Sequence, residues 1–153
     1  MIAFILSRLR IRNEFVIMTP QDMNGSGWMK RTKGQVESEI SNAMIQFEKD
    51  YMGRGPKETK TCIIEDMVLV RLKGVLTPAE QQLAKNQKGT DLIKEIRSNL
   101  LEQARELLSE VIEKITGLKV LSLHTDISTK TGERVIIFTL NDNLEERYRN
   151  IST

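Results

Sequence analysis

From Gln35 onward the apolar residues Val36, Ile40, Ala43, Met44, Phe47 and Tyr51 recur at spacings of three and four, which predicts an amphipathic helix with one buried face. Glu37, Glu39, Glu48, Lys49 and Asp50 fall on its other faces. The pattern breaks at Gly53-Arg54-Gly55-Pro56, and "TKTCIIEDMVLVRLKGV" then alternates with a period of two around a tight "ED" turn, predicting a hairpin that ends at Gly74. In "LTPAE", Thr77 suits a helix cap, Pro78 the first helical position and Glu80 the third, so a short helix should run from Pro78 to about Asn86 and stop near Gly89. Thr90 or Asp91 then caps a long helix ending at Gly117. Its continuous stripe is Leu92, Ile93, Ile96, Leu100, Ala104, Leu107, Leu108, Val111, Ile112 and Ile115. "LKVLSLHTDIS", a "TKTG" loop and "ERVIIFTL" form a second hairpin, and "NDNLEERYRN" closes the chain as a short polar helix or tail.

Two hairpins with helices between them predict an α+β two-layer sandwich: a four-stranded antiparallel sheet with helices on one face, in the order α-β-β-α-α-β-β. Residues 29–145 make one domain, flanked by a leader, 1–28, outside the core and a polar tail, 146–153. The 153 residues suffice for one core, and an aromatic share of 5% makes that core mainly aliphatic. In the leader, Ile2, Phe4, Ile5, Leu9 and Ile11 with Arg8, Arg10 and Arg12 have the composition of an interfacial anchor. Met29 opens "MKRTKGQVESEI", which reads as a translation start and favours a leader that is not native.

Charge narrows the function classes. Residues 1–34 hold six Lys/Arg against Glu14 and Asp22, so the positive excess sits in that N-terminal stretch, and the remainder, at about −2, lacks what a phosphate-tracking surface requires. Aromatics fall in core patterns, and nucleic acid is not an expected partner. The longest apolar run, "MIAFIL", is far short of the roughly 20 residues of a spanning helix. A single cysteine, Cys62, permits no internal disulfide, and a reducing cytoplasm is the expected compartment.

Candidate chemistry is sparse. His124 is the single histidine, which excludes a multi-histidine metal site, and neither a metal nor another cofactor is expected. Asp126 shares its strand face, an arrangement that fits a solvated surface better than an oriented catalytic imidazole. No catalytic constellation is expected. The glycine pair around Arg54 has two readings. Gly53 followed by Pro56 suffices as a helix stop, whereas Gly53, Arg54, Gly55, Pro56 and Lys57 also allow an anion nest. Arg97, placed on the polar side of the long helix, and Arg71, on the second strand, are the charges that would join Arg54 around such an anion. Spacing alone leaves that choice open.

Together, Gly53-Arg54-Gly55-Pro56, the "LTPAE" segment, Arg97 and the later "GERVIIFTL" resemble a bacterial family, the MpsC-like domain of a sodium-translocating membrane-potential system, over about residues 30–145. The resemblance implies association with a membrane-potential, ion or inorganic-carbon transport system. It carries no catalytic residues. A chain without a spanning segment would serve such a system as a cytoplasmic, non-enzymatic accessory or regulatory domain, peripheral at the membrane. The expected partners are a second copy of the chain and a membrane-transport protein. The rival expectation is a small-anion or nucleotide sensor built on the Gly-Arg-Gly-Pro loop.

Overall fold

A computed structural model describes residues 31–151. The anchor reading of the leader and the assignment of Met29 as a start lie outside the described residues.

Helix α1, Lys33–Met52, starts at a capping box in which Thr32 accepts from the backbone N–H of Gln35 and the Gln35 side chain accepts from that of Thr32. It stops at Gly53, whose φ of 83° is the left-handed conformation glycine adopts without a Cβ penalty. Strands β1, Glu58–Ile64, and β2, Met67–Lys73, form the first hairpin, and β3, Val120–Ser128, and β4, Glu133–Leu140, the second. The four make one antiparallel sheet in the order β1-β2-β4-β3, so the hairpins join through β2 and β4. Val68 faces Phe138, Val70 faces Ile136 and Leu72 faces Arg134 across that seam. The period of two therefore places Arg134 on the same sheet face as Ile136, Phe138 and Leu140, all buried.

Three helices link the hairpins: α2, Pro78–Leu83, α3, Gln87–Gln103, and α4, Arg105–Thr116. Val36, Ile40, Met44 and Phe47 of α1, Ile93 and Leu101 of α3, and Leu108 and Ile112 of α4 join the inward strand residues in one core. Each fully enclosed aliphatic side chain contributes about 1.5–3 kcal/mol. Helix α5, Leu144–Ile151, packs back on this layer through buried Leu144. Glu145 accepts from Lys33 Nζ at 2.7 Å and from the backbone N–H of Glu65 at 2.9 Å. The C-terminal segment is thus a docked helix, where a tail was one expectation.

The α+β class, the two hairpins and the helix–strand order agree with the sequence reading, while the long helix does not. Asn86, not Thr90 or Asp91, caps α3 by accepting from Gly89 N at 2.9 Å, and α2 ends at Leu83. The long helix is divided at Ala104, whose N–H is shared between the carbonyls of Leu100 and Leu101. With α3 independent of α4, its inward face is Gly89, Ile93, Arg97 and Leu101, and Leu92 and Ile96 are 45% and 49% exposed. Close packing on α2 accompanies this phase, since a Cβ on Gly89 would lie 1.8 Å from the Leu83 carbonyl oxygen.

Candidate functional site: a buried carboxylate between two arginines

Periodicity delivers three charged residues to the core. Glu48 follows Val36, Ile40 and Met44 at intervals of four on α1, Arg97 lies four residues after Ile93 and four before Leu101 on α3, and Arg134 precedes Ile136 by two on β4. Each takes a position where its element's pattern calls for an apolar residue. Their side chains are only 1–2% exposed. Burying a charge without a partner costs several kcal/mol, so their neighbours decide whether the fold tolerates them.

Arg97 is well held on one side. Its Nε donates to Glu80 Oε1 at 2.7 Å, and Nη2 donates to Glu80 Oε2 at 2.9 Å and to the Val75 carbonyl at 2.8 Å. Glu80 is itself fixed by the α2 capping box, where it accepts from Thr77 N at 2.7 Å while Thr77 Oγ1 accepts from Glu80 N. The cap of a six-residue helix thus also orients the partner of a buried arginine. Arg134 Nη2 donates to the Arg97 carbonyl at 3.3 Å.

Toward Glu48 the bonding is incomplete. Arg97 Nη1 is 3.6 Å from Glu48 Oε2 and Arg134 Nη1 is 3.9 Å from Glu48 Oε1, within ion-pair range but beyond hydrogen-bond reach. Within these three side chains, five enclosed atoms have no hydrogen-bond partner in the protein: both Glu48 oxygens, Arg97 Nη1, and Arg134 Nε and Nη1. Burial pushes the Glu48 carboxyl above the usual range, against the attraction of Arg134 and Arg97. Burial also depresses the Arg134 guanidinium, with the charge of Glu48 opposing. For Glu80, burial acts upward but is outweighed by the hydrogen bonds from Arg97 and Thr77 and by the Arg97 charge, which hold its carboxyl low.

The residues singled out from the sequence are differently placed. Arg97 lies on the buried face of α3, not on its polar side, because that face turns toward Val75 and Glu80. Arg54, half-buried, donates from Nη1 to the Leu76 carbonyl at 3.3 Å and from Nη2 to the Gly74 carbonyl at 3.4 Å. Arg54 and Arg97 therefore converge on three successive carbonyls of the segment 74–76, with Arg54 on the first and third and Arg97 on the second. Within the loop, Gly53 ends α1, a Cβ on Gly55 would press on the Lys49 side chain, and the Lys57 side chain packs against Gly74. Arg71 pairs with Glu133 at 2.6 Å on the outward sheet face. His124 Nε2 lies 3.1 Å from Ser122 Oγ, and Asp126 accepts from Ile127 N at 2.8 Å and faces Lys94 at 3.6 Å, so each has a local partner other than the other.

Glu48 and Arg134 escaped the sequence reading as site residues, although a charged residue on an apolar period was the signal available for both. Among the described residues, no group of three or more His, Cys, Asp or Glu side chains is arranged to hold a metal ion.

Comparison with known proteins places the chain in a family. The chain is 50% identical over 123 residues to "Uncharacterized protein YbcI" of Bacillus subtilis (strain 168), covering 80% of this chain and 99% of that protein. It is 24% identical over 110 residues to "Uncharacterized protein YrhF" of the same organism, covering 71% of this chain and 90% of the relative. No solved structure matches. Residues 32–142, which include Glu48, Glu80, Arg97 and Arg134, match the family model described as "Na+-translocating membrane potential-generating system (MpsC)", and the chain belongs to the MpsC family.

Proposed function

We infer that this chain is a non-catalytic accessory or regulatory component of a membrane-potential or ion-transport system, working at the cytoplasmic side of the membrane through a membrane-protein partner. Membership of the MpsC family supplies the link to such a system. The observation that carries the accessory role is that no helix among the described residues is long and apolar enough to cross a membrane. The sheet of the described residues is open, with β1 and β3 at its edges, and does not close on itself. A domain of this kind influences ion movement by binding another component. A second copy of the chain is the other partner in this reading.

The test is affinity isolation of the tagged full chain from native membranes after mild detergent extraction, followed by identification of what accompanies it. An integral membrane transport protein recovered in fixed proportion supports the role. Recovery solely as a free protein in the supernatant would overturn it.

A further inference from the structure

We propose that Glu48, Arg97 and Arg134 form a buried site for one small monovalent anion of halide or nitrate size, and that Glu48 takes up one proton when the anion enters. Three features support it. Five buried atoms of these side chains lack a hydrogen bond in the protein, as Thr59 Oγ1 and Thr125 Oγ1 do elsewhere, and here they include the N–H groups of Arg97 Nη1 and of Arg134 Nε and Nη1, which are donors only. Two guanidiniums from different elements, α3 and β4, approach one carboxyl without reaching it, at 3.6 and 3.9 Å. The enclosure, 1–2% exposure for each side chain, excludes nucleotides and other large ligands.

Charge balance supplies the coupling. The charged groups bearing on Glu48 are Arg134 from β4, Arg97 from α3 and Glu80 from α2; Asp126 of β3 acts more remotely, on Arg134. Two arginines and two carboxylates are neutral together. An anion added to that set leaves a net negative charge in a low-dielectric interior, which is costly. Protonating Glu48 restores neutrality, removes the like charge beside the anion and turns the carboxyl into a donor. The sum is one anion plus one proton entering a neutral site, which stays neutral. A divalent anion would require a second proton, and Glu80 is held in its charged form by Arg97 and Thr77. The anion site thus lies in the core and uses Arg97, while Arg54 of the Gly-Arg-Gly-Pro loop is engaged with the carbonyls of Gly74 and Leu76.

Bromide is the probe. The full chain is crystallised and soaked in sodium bromide, and in solution its thermal stability is followed in bromide against gluconate at equal ionic strength across a pH series, for wild type and for Glu48→Gln. The expected result is an anomalous bromine peak among the three side chains, with an apparent Kd for bromide that weakens about tenfold per pH unit above the Glu48 pKa in wild type. In Glu48→Gln, a near-isosteric mimic of the protonated acid, the Kd should not change with pH. No bromine peak at the cluster, or water there instead, overturns the proposal. So does a bromide Kd for wild type that is independent of pH. Both wild-type measurements decide the matter even if Glu48→Gln does not fold.

Discussion

Nη1 of Arg97 stops 3.6 Å short of Oε2 of Glu48, although both side chains are almost fully enclosed and Arg97 bonds Glu80 closely on its other edge. Removing the arginine leaves Glu48 facing Arg134 alone and strips the Val75 carbonyl of its donor. Arg97→Met should therefore lower stability by about 3–5 kcal/mol, measured as the urea midpoint at constant m-value. Adding Glu80→Gln to Arg97→Met should recover part of that loss, because the two residues act as a pair; strict additivity would contradict the coupling.

The two glutamates of the cluster should give stability opposite pH dependences. Glu48 has its folded pKa above the unfolded value, so its contribution is fully present below the unfolded pKa and is lost as pH rises through the folded one. Glu80 is held below its ordinary value, so its contribution is present above the unfolded pKa and is lost as pH falls through the folded one. Relative to wild type, Glu48→Gln should gain as pH rises from the ordinary glutamate value. Glu80→Gln should be most costly near neutrality, and its deficit should vanish in acid. Denaturant midpoints for the three proteins over one pH series check both signs.

Gly89 inverts the usual helix rule. Alanine is favoured over glycine in a helix interior by about 0.8–1.0 kcal/mol, yet at Gly89 the new Cβ would meet the Leu83 carbonyl oxygen at 1.8 Å, and that atom is backbone. Gly89→Ala should destabilise by about 1–3 kcal/mol, the range for overpacking. A thermal melt shows the sign directly.

Arg54 ties the α1–β1 loop to the segment after β2 through two long hydrogen bonds from a half-buried side chain. Arg54→Ala should cost about 0.5–1.5 kcal/mol of stability and leave the bromide response of the core cluster unchanged. Chemical denaturation and the bromide titration together measure this.

The opening helix, both hairpins and the Thr77–Glu80 cap were legible because each rests on interactions within a few residues: a period of four, a period of two, a capping box, a left-handed glycine. The division of the long helix at Ala104 was not. A buried alanine satisfies the stripe equally well in one helix or two. The stripe consequently puts Leu92 and Ile96 on the buried face, whereas close packing of Gly89 on Leu83 accompanies a different phase for α3 and leaves both exposed.

The kinds and order of the elements follow from the chain's own pattern, since local periodicity and capping are properties of short stretches. The sequence also held the family resemblance and singled out Arg54 and Arg97. What those arginines meet depends on the folded arrangement: carbonyls of the segment 74–76 for both, and for Arg97 also the paired Glu80 and the incompletely bonded Glu48. Glu48, Arg97 and Arg134 stand far apart in the chain, on two helices and a strand. Their electrostatics follow from distance and burial, and neither exists until the helical layer closes over the sheet.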